Sequence, residues 1–233
     1  MKQYYKIADL TVEMDAFGIT RELARPYLTK PASPPDMTVT ADLRERKAAY
    51  PQAPEEHLAY IATGRDFYTK LPEHDGMLLH ASAIGYEGKA YLFSADSGVG
   101  KSTHTWLWQQ VFGKDRVTVI NDDKPALRLT NHGWYAYGTP WCGKNGINQN
   151  LRLPLGGICF LEQGQTNHIE RCSRDDLAFR LLKQTHRPQD PARMNKLLSL
   201  IDNLANQVPI WRMQCNTEPE AAVLARDTMV KGE

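Results

Sequence analysis

Apolar positions recur with two different periods along this chain, and the switches between them outline its elements. From Tyr4 to Met14 apolar residues at Ile7, Leu10 and Val12 have strand character. Pro26, Pro31, Pro34 and Pro35 then mark a loop, and Met37 to Thr40 reads as another short strand. Pro51 and Pro54 break the chain again. Glu55 to Leu71 carries helical periodicity through Leu58, Ile61, Phe67 and Leu71, with Pro72 as its stop. Residues 1–75 are expected to form a small α+β subdomain leaning on a main domain of residues 76–233.

The main domain opens with a strand pattern, MLLHASAI, that contains His80 and turns at Gly85-Tyr86-Glu87-Gly88. Ala90 to Ser94 is a short apolar and aromatic run of the kind that forms a fully buried strand. An apolar-periodic segment beginning near Lys101 reads as a helix, and the β-branched RVTVI of Arg116 to Ile120 as the next strand. Ala126 to Thr130 and Trp134 to Gly138 form a hairpin pattern around Asn131-His132-Gly133. Leu155 to Leu161 is a further buried strand; Arg174 to Thr185 and Met194 to Ala205 are amphipathic helices. Pro209 to Met213 reads as a last strand and Glu218 to Met229 as a closing helix. The expected fold class is α/β, a mixed sheet with flanking helices.

Between the buried strand and the helix lies Ala95-Asp96-Ser97-Gly98-Val99-Gly100-Lys101-Ser102-Thr103. Strand, glycine-bearing turn and helix start in that order are the structural context of a P-loop. Its glycines let successive backbone N–H groups curl around phosphate oxygens, and the helix adds its positive N-terminal end. Ser97 to Thr103 would cradle a nucleotide, with Lys101 reaching the β- and γ-phosphates and the Ser102 hydroxyl on Mg²⁺. One letter departs from G-x-x-x-x-G-K-[ST]: the first glycine is Ala95, so the entry to the turn must suit a residue with a Cβ.

The strand RVTVI ends in Asn121-Asp122-Asp123. Ligands of open α/β sheets sit beyond the carboxyl ends of the strands, where the loop and this acidic pair would emerge together. Two carboxylates beside a triphosphate have work available, one on the metal and one on a hydroxyl proton. Alone, the pair would be an ordinary solvated turn. His80, as a lone strand histidine, would ordinarily be a hydrogen-bonded core residue. The loop Gly138 to Gly146 (GTPWCGKNG) is either a packed connection or part of an acceptor pocket presenting Trp141 and Lys144.

Charge narrows the partners. A formal net charge of +1 with 24% charged residues provides no electrostatic case for nucleic acid or a membrane surface. No apolar run has the length of a spanning helix and Met1-Lys2-Gln3 opens no signal peptide, so a cytoplasmic protein is expected. Cys142, Cys159, Cys172 and Cys215 lack the spacing of a zinc site or a disulfide framework.

These residues resemble the HPr kinase/phosphorylase group, whose P-loop fold is related to phosphoenolpyruvate carboxykinase. Three features match in order: His80, the loop ADSGVGKS from Ala95 to Ser102, and Asp122-Asp123. The histidine precedes the loop by the family's interval. The resemblance spans roughly residues 76–165, and the amino-terminal part is unlike the larger domain of that family, so a short form is expected. Where the family carries a later glutamate-arginine-glycine signature, this chain has GTPWCGKNG.

The resemblance implies an ATP- and Mg²⁺-dependent kinase transferring the γ-phosphoryl group to an alcohol, foremost a serine hydroxyl of a peptide or protein. It implies Asp122 as general base with His80 beside it, Lys101 on the phosphates, and Asp123 holding Mg²⁺ with Ser102. Two other readings stand beside it, a kinase for a small-molecule alcohol such as a sugar or amino acid and a non-catalytic nucleotide-binding regulator. Association into a homo-oligomer is compatible with each.

Overall fold

A computed structural model describes residues 2–232, the side chains of 174 and 175 apart; Met1, part of the stretch weighed as a signal peptide, lies outside them. Its strands form two sheets. In the smaller, β1 (Gln3–Ile7) and β2 (Leu10–Met14) pair antiparallel, and β3 (Met37–Val39) joins β2 in parallel. The single strand expected over Tyr4 to Met14 is therefore a hairpin. Ala8 and Asp9 make the turn with φ of 51° and 61°, a conformation whose usual glycine signal is missing here. Helices α1 (Gly18–Ala24) and α2 (Arg44–Ala49) were not legible; α2 buries no residue and so leaves no apolar period. Helix α3 (Glu55–Lys70) lies where its periodicity placed it.

The larger sheet has nine strands. The pattern from Gly76 to Gly88 divides into β4 (Gly76–Leu78) and β5 (Ala81–Tyr86). His80 thus stands in the break between them rather than within a strand. A two-residue turn at Glu87-Gly88 leads from β5 into β6 (Lys89–Ser94), which pairs with it antiparallel. Then follow α4 (Lys101–Phe112), β7 (Thr118–Asn121), β8 (Ala126–Thr130) and β9 (Gly133–Tyr137). The long β10 (Arg152–Gln163) carries β9 along its first residues and β6, in parallel, through its middle. Along its end runs β12 (Ile210–Cys215), also parallel, with β11 (His168–Arg171) outside it. The edge strand β11 buries no residue fully and sets only Ile169 against the core, which is why no apolar run announced it.

Helices α5 (Arg174–Lys183) and α6 (Pro191–Gln207) cover one face of this sheet, with Leu181, Leu197, Leu200 and Leu204 packed on Leu92 and Ile158. On the other face Leu107 and Trp108 of α4, with Ala222 and Ala225 of α7 (Pro219–Met229), pack on Phe93 and Trp211. Alternate residues of β6 therefore enter different cores, and covering on both sides explains its unbroken apolar run. A third core joins the small sheet to Phe67 and Tyr68 of α3 and to Ala126, Tyr137 and Trp141. No helix among the described residues is long and apolar enough to cross a membrane.

Candidate functional site

Residues 95–100 turn the chain from β6 into α4. Gly98 and Gly100 have φ of +83° and +121°, and a Cβ at either would meet nothing within 4 Å. Conformation, not space, therefore demands glycine there. Ala95 has no positive φ and is buried against the α4 core, so the missing glycine of the pattern carries no backbone strain. The Lys101 ammonium donates to the carbonyl oxygens of Ala95 (2.9 Å) and Asp96 (3.3 Å). Burial lowers its pKa, partly offset by the nearby carboxylates of Asp123, Asp122 and Asp96.

Beside this loop lies a cleft of about 500 Å³. Ser97, Gly98, Gly100, Lys101, Ser102 and Thr103 form one wall; His80, Asp122 and Asp123 face them, and residues 142–145 complete the rim. Val99, counted among the cradling residues, does not line this cleft; it lines a neighbouring one on the other flank of the loop.

The acidic pair is positioned by a residue that buries completely, Asn121 at the end of β7. Its Oδ1 accepts the backbone N–H groups of Asp123 (2.9 Å) and Lys124 (2.7 Å), and its Nδ2 donates to the Thr139 carbonyl. The turn sends adjacent carboxylates into different networks. Asp122 accepts from Ser82 Oγ and from Asn145 Nδ2, each at 2.7 Å. Ser82 in turn touches Thr105 Oγ1, which bonds the Ser102 carbonyl, so Asp122 belongs to the side where α4 begins.

Asp123 belongs to the other side. Its Oδ1 is 3.1 Å from His80 Nε2, and its other oxygen pairs with the Lys124 ammonium. Burial pushes the Asp123 carboxyl up, but the His80 hydrogen bond and the Lys124 charge outweigh that and hold it below its ordinary value. His80 Nδ1 meets Gln184 Oε1 at 3.0 Å, and Gln184 Nε2 donates to Asp96 Oδ1 at 2.7 Å. A carboxylate only accepts, so the Gln184 amide is oriented with its nitrogen on Asp96 and its oxygen on His80. Both ring nitrogens of His80 thus face acceptor oxygens.

Besides Val99, the expected site residues are brought together with two differences. His80 stands on Asp123 rather than on Asp122, because the Asn121 turn rotates the second carboxylate towards the break before β5. Trp141 is not at the cleft: it is buried, stacked on Phe67 at 4.9 Å, and donates to Thr63 Oγ1. Lys144 does lie on the rim, exposed. Gly143, beside it, approaches Asp123 so closely that a Cβ would fall 2.8 Å from the Asp123 Cβ.

The sequence assigns no role to Ser82, Asn121, Lys124, Asn145 or Gln184. Lys124 and Asn145 sit inside or beside segments already notable. Gln184 is 104 residues from His80, and nothing local marks it. As a whole the cleft offers a buried lysine, a helix N-terminus, two differently held carboxylates and a histidine. Such a set can neutralise phosphate charge and accept a hydroxyl proton. Ser102 and Asp122 supply two oxygen donors, a number suited to Mg²⁺ that otherwise keeps waters and phosphate oxygens.

No model of a known protein family matches the chain, and no curated protein matches it. Among solved structures it is similar to the Hpr(Ser) kinase/phosphatase from Coxiella burnetii. That similarity has a TM-score of 0.27 at 13% identity, over 54% of this chain and 88% of the other.

Proposed function

We propose that the chain is a kinase transferring the γ-phosphoryl group of ATP to an alcohol, with a serine hydroxyl of a peptide or protein as the leading acceptor. The observation that carries this reading is Asp123, held by His80 and Lys124, opening into the same cleft as Lys101 and Ser102. Loop amides, the start of α4 and Lys101 hold the phosphates. Mg²⁺, held by Ser102 and Asp122, would supply charge neutralisation on the phosphate oxygens.

Asp123 is the base in this reading, and Asp122 the metal-side carboxylate. The acceptor oxygen bonds to the γ-phosphorus as the bond to the bridging oxygen of ADP breaks, and the hydroxyl proton passes to Asp123. A hydroxyl has a pKa far above neutral, so deprotonation accompanies attack rather than preceding it. Asp123, its pKa held low by His80 and Lys124, is ionised and a weak base, so positioning with charge neutralisation provides most of the rate. The exposed rim at Lys144 and Asn145 leaves the acceptor side open to a hydroxyl borne on a larger chain.

The test is phosphoryl transfer from γ-labelled ATP with Mg²⁺ to serine-containing peptides and to small alcohols in parallel. Label on peptide serine supports the full reading, and label on a small alcohol only keeps the kinase but moves the acceptor. Failure of the protein to bind Mg·ATP at millimolar nucleotide would remove the reading altogether.

A further inference from the structure

The loop of residues 95–100 has a second cleft on its other flank, about 370 Å³ in volume. Ala95, Asp96 and Val99 form its wall on the loop side. Phe160 and Glu162 of β10 and Arg180 and Lys183 of α5 are among the residues that line the remainder. Nothing in the reaction described above uses it.

Its place follows from strand order. In the sheet, β10, β6, β5 and β7 lie side by side in that sequence. Asp122 and Asp123 emerge from β7, on one side of the loop-bearing β6. The second cleft lies at the carboxyl ends of the parallel pair β6 and β10, on the opposite side. Crevices beyond the carboxyl ends of parallel strands are where such sheets take ligands. A triphosphate lying along the loop with its γ end at Asp123 must leave the loop at its other end, towards β10.

The chemistry of the cleft suits what hangs from that end. Its volume is near the lower limit for small-molecule pockets, about 300 Å³. Phe160 forms an apolar floor with the Arg180 guanidinium 5.9 Å from its ring centroid, and a guanidinium plane stacks on aromatic faces. Glu162, paired with Arg180 at 2.8 Å, is an acceptor for hydroxyl or amino hydrogens. Lys183, paired with Asp96 at 2.7 Å, places a cation where the loop begins. The acceptor alcohol is not a competing occupant, because it must meet Asp123 on the far side of the loop.

We infer that this second cleft takes the nucleoside part of the phosphoryl donor, with Arg180 against the base and Glu162 accepting from the sugar or base. The inference rests on the loop binding the donor's phosphates, as proposed above.

The two are separated by comparing Mg·ATP with Mg·tripolyphosphate, which has the phosphates and no nucleoside, by calorimetric titration of the full chain. Wild type is expected to bind Mg·ATP on the order of tenfold more tightly than tripolyphosphate. Arg180→Ala and, separately, the gentler Glu162→Gln should lower Mg·ATP affinity several-fold, to about tenfold, and leave tripolyphosphate unchanged. Equal binding of the two ligands to wild type overturns the nucleoside cleft while leaving the phosphate loop standing. So does retention of full ATP affinity by both variants, or an equal loss for both ligands. Binding of neither ligand by wild type overturns the phosphate loop and the cleft with it.

Discussion

His80 Nε2 lies 3.1 Å from Asp123 Oδ1, while the Asp122 carboxylate one residue earlier is held by Ser82 and Asn145. Adjacent in sequence, the two carboxylates are held by different partners, which gives them different chemical prospects. Asp123→Asn keeps the size of the side chain but cannot take a proton. It should retain Mg·ATP affinity within a few-fold and lose phosphoryl transfer by about 10²–10⁴. Asp122→Asn should instead shift activity to higher Mg²⁺, since an amide oxygen is a poorer ligand for a hard dication. Single-turnover transfer across a magnesium titration reads both; the opposite pattern would make Asp122 the base.

Lys101 is a cation buried at the start of α4. Replacing it by Ala leaves Gly98 and Gly100 to shape the loop but removes the charge facing the phosphates. Turnover should fall by about 10²–10³ or more, as for loss of a single preorganised donor. Near wild-type transfer by Lys101→Ala would take the loop out of the active site.

Trp141 and Lys144 are three residues apart and should respond in opposite ways. Trp141→Ala opens a hole against Phe67, Tyr68 and Gly64 and should cost about 3–5 kcal/mol in urea unfolding. Lys144→Ala should change stability by no more than about 0.5 kcal/mol and raise the acceptor KM more than the ATP KM. An unchanged acceptor KM would exclude Lys144 from acceptor binding.

His104 is buried on α4, where its Nε2 accepts from Trp108 and its Nδ1 has no partner among the described residues. Burial depresses its pKa from 6.5 to about 4, so the fold holds it neutral while the unfolded chain protonates it below about 6.5. Its contribution to stability is therefore complete above pH 6.5 and is lost as pH falls towards 4. Between pH 7 and pH 4.5 the loss should be about 2 kcal/mol. His104→Gln should reduce that pH dependence in urea unfolding; identical slopes for both proteins would show that His104 does not titrate on unfolding.

The sequence by itself determined the strand, turn and helix around residues 90–112, because their causes are local. A run buried on both faces must be apolar, positive φ at 98 and 100 calls for glycine, and a lysine and serine at a helix start have few other uses. It also determined most helices and strands that bury a regular face, from α3 to α7. Elements without such a face, α2 and β11, left no trace, and the Ala8-Asp9 turn lacked the residues that usually signal one. Which carboxylate His80 meets was decided only in three dimensions. Neighbouring residues carry no sequence difference in direction; Asn121 sets that direction by capping the turn from a buried position. Gln184 reaches His80 from the far end of α5, at a distance along the chain that no local pattern spans. Trp141 looked like a ligand-facing aromatic because glycines and a proline surround it. Its burial was decided by α3, whose Gly64 leaves room for the indole, and by Phe67, which stacks on it.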